Sequence, residues 1–375
     1  MNKPKALIIT RNFPPLWGGM ERLNWRMAQE LSKAYELHLI APQGAAVHVD
    51  EGIEVTEVRL RPLWRFLLAA AWQTLRKAWR IKPKAVIAGS GLTAPFAWFA
   101  ARISGASAVV YVHGLDVVAS HPVYRTLWVP MLQRMDRVIA NSQATAQLTK
   151  QIGVDAKRIR IVHPGVDMPE RANGSRAAFL ARHGLGEGRV LLSVGRLTVR
   201  KGLQEFVRDV LPLVVAQQPD ICLLVVGSVP SDALLSSVQT PESIMQAARE
   251  AGVGGHVRML GTLFGQELSD AYFAADVHVF PVQNIPNDPE GFGMVAMEAA
   301  AHGLPTVAYA TGGVMEAVEE GVSGSLVAQG DYSAFAMAIL HQLRCPDAGS
   351  TDFARRFVWE SFGERILNAL DESDF

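Results

Sequence analysis

Only two cysteines, Cys222 and Cys345, occur in 375 residues, so a disulfide framework is excluded and the pair suits a reducing cytosol. Long apolar runs are missing too: Leu67–Trp72 is far shorter than the roughly 18 to 20 residues of a membrane span. The first apolar run begins almost at once and no cleavage site follows it, so a secretory leader is not expected. Asp-x-Asp occurs nowhere, and His113, His121 and His163 lie on separate segments without ligand spacing; no metal is expected. No Gly-x-Gly-x-x-Gly follows the first strand, which argues against a nicotinamide dehydrogenase. Repeats and low-complexity tracts are absent.

What is present is an alternation of short apolar strands with helical patterns, in a chain that is 49% apolar. This predicts an α/β protein with parallel sheets. Strands are expected at Ala6–Thr10, Glu36–Ala41, Ala85–Ala88, Ala108–Val112, Arg137–Ala140 and Arg160–His163. A second set follows at Val190–Val194, Ile221–Val226, Val257–Leu260, Val277–Phe280, Thr306–Tyr309 and Ser325–Val327. The length supports two cores. A hinge is expected where Pro, Gly and polar residues cluster, from Pro164 to Asn173, dividing the chain into 1–168 and 169–357. Ser228 to Thr240 reads as a loop.

Three segments carry chemistry. Glu290 and Glu298 enclose Gly291, Phe292, Gly293, Met294 and Val295, with Glu290 in a loop and Glu298 on a buried helix closed by His302-Gly303-Leu304-Pro305. A fully helical spacer would hold the carboxylates roughly 12 Å apart, too far for one acid/base pair on a single bond. They suit two parts of one long ligand. The spacing alone is not specific, since Glu242/Glu250 and Glu364/Glu372 share it. Gly18 and Gly19 lie where the first strand hands over to a helix N-terminus, a position that favours an anion. Finally, the strand Val190–Val194 runs into Gly195 and the cations Arg196, Arg200 and Lys201, which could neutralise a pyrophosphate.

In order and spacing these segments resemble the retaining glycosyltransferases of the Glu-x7-Glu group, glycosyltransferase family 4. His113-Gly-Leu-Asp116, Asn141-Ser142, Pro164 to Asp167, Val226-Gly227, Val257 to Gly261 and Gly312-Gly313 complete the resemblance. It implies a GT-B fold, two Rossmann-like domains whose parallel sheets face each other across a cleft, with the last helix (about 358–375) crossing back onto the N-terminal acceptor domain. It implies that Arg196, Lys201 and the backbone at Gly19 bind the donor diphosphate, while Glu290 holds the sugar hydroxyls under the amides of Phe292 to Val295. Glu298 would hold the ribose, His113 would lie near the transferred sugar, and Met259 to Gly261 would edge a uracil or guanine. The implied reaction is a same-face substitution needing no metal or other cofactor. A hexose passes from a UDP- or GDP-sugar to a glycan or lipid-linked acceptor of the kind found in phosphoinositide or lipopolysaccharide assembly. A sugar-nucleotide epimerase and a noncatalytic sugar-nucleotide-binding protein are the alternatives.

Charge is balanced overall but not locally. Residues 1–168 hold 22 Lys and Arg against 11 Asp and Glu, and the remainder holds 14 against 25. Arg59–Lys84 carries eight of the basic residues and no acid, with Trp64, Leu67, Leu68, Ala71, Trp72, Leu75 and Trp79 at helical spacing. A basic, tryptophan-bearing helix of this kind fits an anionic membrane surface. The expected location is the cytoplasm, peripheral on the inner face of the membrane. Nucleic acid is not an expected partner, because no nucleic-acid-binding module accompanies the basic stretch.

Overall fold

The computed structural model describes residues 3–172, 174–229 and 237–371. Residues 230–236 of the expected 228–240 loop, residue 173 of the hinge and residues 372–375 of the last helix lie outside the described residues. The chain falls into two compact units, Met1–Gly165 with Trp359–Phe375, and Val166–Val358.

The first unit is built on seven parallel strands: β1 (Lys5–Ile9), β2 (Glu36–Pro42), β3 (Glu54–Val58), β4 (Ala85–Ala88), β5 (Ser107–Val112), β6 (Arg137–Ala140) and β7 (Ile159–Ile161). Their order is β3-β2-β1-β4-β5-β6-β7. The chain winds outward from β1 in one direction, then restarts on the other side at β4. Leu7, Ile8, Ile9, Val109 and Val110 are fully buried, which is why these strands read as continuous apolar runs rather than alternating ones. β3 was not expected: Glu-Val-Thr-Glu-Val is polar and half-solvated because it is an edge, held by His38 and Lys77 on Glu54 at 2.9 and 2.5 Å. β7 begins and ends earlier than its expected Arg160–His163.

Helix α1 (Gly19–Ser32) follows β1, α2 (Leu63–Ile81) follows β3, and α3 (Ala94–Ser104) follows β4. The final helix, Trp359–Asp371, packs on α1 in this unit, and Arg137 donates to the Leu370 carbonyl at 2.6 Å.

The second unit has six parallel strands, β8 (Val190–Val194), β9 (Cys222–Val226), β10 (Val257–Gly261), β11 (Val277–Phe280), β12 (Thr306–Tyr309) and β13 (Gly324–Val327). The order β10-β9-β8-β11-β12-β13 again reverses direction beside its first strand. In open parallel sheets of this kind, ligands bind outside the carboxyl ends of the strands where the winding reverses. In the two units these points lie between β1 and β4 and between β8 and β11.

Candidate functional site

In the second unit the loops after β8 and β11 meet. The amide of Gln283 donates to the Arg200 carbonyl at 2.8 Å, tying one loop to the other. Across this junction the Lys201 ammonium donates to Glu290 Oε2 at 2.8 Å, and the Arg200 guanidinium donates to the same oxygen. Arg200 Nε also stands 3.1 Å from Asp288 Oδ1, an ion pair without hydrogen-bond alignment. Lys201 lies over the Phe280 ring at 4.6 Å.

The cluster is mostly buried, and burial sets its protonation. Burial lowers Lys201 from 10.5 to about 8; the pull of Glu290 opposes this, and Arg200 adds to it. Burial works to raise the Glu290 carboxyl, but Arg200 and then Lys201 outweigh it and hold it at about 2. Arg196, by contrast, is exposed, and its side chain bonds to no described group, although its charge reaches Glu290. Of the three expected cations, Lys201 and Arg200 are thus engaged by a carboxylate and Arg196 is free to meet a ligand.

Glycines let these loops approach. A side chain on Gly227, after β9, would begin 1.8 Å from the Gly195 carbonyl, at a φ of 148° that only glycine adopts readily. The Gly227 amide donates to the Gly261 carbonyl at 2.7 Å, so β8, β9 and β10 end in one backbone layer that includes Gly195 and the strand residue Met259. The Gly313 amide bonds the Glu290 carbonyl at 3.1 Å, and a Cβ there would collide with the Gly291 carbonyl. Gly293, at φ 96°, turns the chain into the helix Met294–Ala301. Phe292 is buried in the core beside Phe280, Ala296 and Met297, with Met294 and Val295 packed against it.

Glu298 lies on that helix and is 9% exposed. The Tyr272 hydroxyl donates to its Oε2 at 2.9 Å. His302 stacks on the Tyr272 ring at 4.7 Å. The Glu298 carbonyl accepts from His302 Nδ1 at 2.7 Å, so Nε2 accepts from the Ser269 hydroxyl at 2.8 Å. Burial lowers His302 to about 4, which keeps it neutral. Tyr272 and Asp288 were missed in the sequence, because a tyrosine on an apolar helix face and an aspartate in a polar turn carry no local signal.

The remaining expected residues lie in the first unit. Gly18 precedes α1, and Gly19 is its first residue. A Cβ on Gly18 would lie 2.4 Å from Glu21 Oε2, so the Glu21 carboxylate sits over the start of the helix, where the helix dipole favours it. Asn12 donates to Glu21 Oε1 at 2.7 Å. His113, after β5, is half-buried; its Nε2 lies 3.0 Å from the Gly89 carbonyl, which can only accept, so the proton is on Nε2. Its amide donates to Asp116 at 3.1 Å.

Two family models match the chain in tandem, Glycosyltransferase Family 4 over residues 17–169 and Glycosyl transferases group 1 over residues 188–344. A D-inositol 3-phosphate glycosyltransferase from Geodermatophilus obscurus is 36% identical over 242 residues, which is 62% of this chain and 52% of that protein. The chain spans about half the length of the curated relatives it matches. Among solved structures, Anabaena Alr3699/HepE in complex with UDP is similar with a TM-score of 0.79 at 21% identity, over 98% of this chain and 99% of that one. The apo form of the lipopolysaccharide outer core galactosyltransferase WaaB gives 0.69 at 17%, over 98% and 99%. At these identities the likeness is one of fold.

Proposed function

Because the chain belongs to the glycosyltransferases described by these two models and has the GT-B fold, we propose that it is a retaining hexosyltransferase. Its donor is a nucleoside diphosphate sugar, and its acceptor is a lipid-linked or cell-envelope glycan or polyol. The observation that carries this reading is the Lys201–Glu290–Arg200 cluster, formed where the winding of the second sheet reverses and preceded in the same loop by the exposed Arg196, which bonds to none of the described residues. UDP in the HepE complex makes uridine donors the first to test, with GDP-mannose as the alternative.

On this reading Arg196 and Lys201 face the diphosphate, which bears the charge that grows as the glycosidic bond breaks. Glu290 is held ionised by its cations and accepts from sugar hydroxyls. Glu298, fixed by Tyr272, accepts from the ribose. The acceptor hydroxyl attacks on the face from which the nucleoside diphosphate departs, and a phosphate oxygen of that leaving group takes the hydroxyl proton. The chain supplies positioning and charge, with fixed cations in the role a metal ion fills elsewhere.

Helix α2 supports a membrane setting. It buries Phe66, Ala70, Thr74 and Ala78 against the sheet and turns Trp64 (57% exposed), Leu68 (65%), Trp72 (66%) and Trp79 (69%) outward, with Arg65, Arg76 and Arg80 also exposed. Of the apolar stripe, Leu67 and Leu75 pack against the core while Trp64, Leu68, Trp72 and Trp79 face outward. An outward face of tryptophan and arginine suits the interface of an anionic bilayer, with each cation near the surface contributing about 1 kcal/mol. No described helix is long and apolar enough to cross a membrane.

The test is a thermal-shift screen of UDP-glucose, UDP-galactose, UDP-N-acetylglucosamine and GDP-mannose, followed by product analysis with polyol and glycan acceptors. A ligand that binds only the folded chain raises its melting temperature with concentration. No shift with any donor would overturn the reading.

A further inference from the structure

We propose that the second unit holds a further ligand site, a cavity at the amino ends of β8, β11 and β12 that binds a small organic phosphate and tightens the grip on the donor. The binding stands by itself, and its effect on the donor rests on the reading of Glu298 given above.

The cavity has a volume of about 400 Å³, and its walls include Arg171, Arg176, Arg189, Tyr272, Asp276 and His302. That is enough room for a phosphate and a ring-sized body. Arg189 and Asp276 immediately precede β8 and β11, and Pro305, on the same wall, precedes β12. The Lys201–Glu290 cluster lies on loops beyond the opposite ends of β8 and β11. Strands of five and four residues, at about 3.3 Å per residue, hold the two places roughly 15 Å apart.

Three guanidinium groups meet one carboxylate in this cavity, although from residue 169 onward the chain carries 25 acids and only 14 bases. Arg176, from the helix Ser175–Arg182, is committed: it donates to Asp276 Oδ2 at 3.0 Å and to the Ala274 carbonyl. Asp276 Oδ2 also accepts from the Val190 amide at 2.8 Å, so this pair clamps the helix to the sheet. Arg189 reaches the other Asp276 oxygen with one nitrogen, at 3.1 Å. Arg171 meets no carboxylate among the described residues; its guanidinium donates to the Phe273 carbonyl at 3.4 Å and lies 5.9 Å from the centre of that ring. Arg171 and Arg189 thus keep N–H groups for a ligand, and the planar fork of each matches phosphate oxygens. A phosphate monoester carries nearly two negative charges at neutral pH, which balances the excess of cations.

Tyr272 joins the cavity to the donor side. Its ring stacks on His302 in the cavity wall, while its hydroxyl donates to Glu298 Oε2 at 2.9 Å. His302 also holds the Glu298 carbonyl at 2.7 Å. A ligand seated against these two rings limits their movement and that of Glu298, so the donor meets a carboxylate already fixed. By linkage, the donor tightens the second ligand by the same factor.

The probe is phenyl phosphate, which has a dianionic head, an apolar body and no hydroxyl to accept a sugar. It is titrated calorimetrically into the full chain saturated with UDP, so that the loop of Arg196 and Lys201 is already filled. Inorganic phosphate is the comparison. Phenyl phosphate should bind the wild type more tightly than inorganic phosphate does, and the double variant Arg171→Gln with Arg189→Gln about tenfold or more weakly. UDP should bind the wild type about fivefold more tightly when phenyl phosphate is present, and the double variant should show no such gain. Tyr272→Phe keeps the ring and removes the hydroxyl, so it should retain phenyl phosphate and lose the gain. Absence of phenyl phosphate binding in the wild type, or equal binding by the double variant, would overturn the site. Inorganic phosphate bound as tightly as the ester would overturn the assignment to an organic ligand. The same UDP response in wild type and double variant would overturn the coupling. If the double variant does not fold, Arg171→Gln alone removes the guanidinium that meets no carboxylate, and wild-type affinity there would count against the site. Failure of UDP to bind at all would sink the donor reading instead, and phenyl phosphate titrated without UDP would still report on Arg171 and Arg189.

Discussion

The Lys201 ammonium stands 2.8 Å from Glu290 Oε2, joining the first loop of the second sheet to the loop that crosses from β11. Glu290 opposes the burial that lowers Lys201, while Lys201 joins Arg200 in holding the Glu290 carboxyl low.

Arg196→Ala and Lys201→Ala are each expected to lower turnover by about a hundredfold or more, the scale of one lost preorganised charge contact. They should differ in stability. Arg196 is exposed and its side chain bonds to none of the described residues, so its loss should leave the melting temperature unchanged, whereas Lys201→Ala alters a buried cluster. Near-normal turnover in both variants would refute their assignment to the diphosphate.

The pH profile should show Lys201 directly. Its charge is lost as pH rises through about 8, so kcat/KM should fall on the alkaline side from that point. Lys201→Arg should move this limb beyond the measurable range, since a guanidinium stays charged. Donor binding near pH 8 should also take up a proton, visible as a dependence of the calorimetric heat on the buffer.

Stability against pH follows from the same two groups with opposite sign. Glu290 is held at about 2 against 4.5, so its contribution is present above pH 4.5 and disappears as pH falls toward 2. Lys201 is lowered, so the unfolded chain holds the proton more firmly, and this group favours the folded state increasingly as pH rises from about 8 to 10.5. Glu290→Gln leaves two buried cations facing each other and should destabilise by about 3–5 kcal/mol in urea unfolding at neutral pH.

Tyr272→Phe removes the donor to Glu298 Oε2. The expected cost is about 1–3 kcal/mol in stability. A looser ribose contact should raise the donor KM and leave kcat nearly unchanged, the pattern of lost uniform binding. A fall in kcat at constant KM would place Glu298 elsewhere in the reaction.

Flotation with vesicles containing anionic lipid should recover the wild type and lose it as salt rises. Replacing Trp64 and Trp72 with Ser should abolish recovery without destabilising the fold, because both rings already face outward. Absence of binding at every salt concentration would refute the membrane face.

The parallel sheets were legible in the sequence because buried strands leave unbroken apolar runs such as Ala6–Ile9 and Ala85–Ala88. β3 was not, since an edge strand of alternating Glu and Val looks like a solvated loop. The cations after β8 could be read as a group, but which of them would be engaged could not. That depends on Asp288 and Glu290 approaching Arg200 from a loop about ninety positions away in the chain. The Tyr272 contact with Glu298 was hidden for the same reason, whereas the helix stop at His302 was local and plain.

The touching backbones of Gly195 and Gly227 have a practical consequence for anyone altering what this chain accepts. A side chain on Gly227 would run into the Gly195 carbonyl, and Gly195 itself holds a φ of 148°, so neither position can be varied without moving the backbone. Libraries that spare both positions will lose fewer members to misfolding.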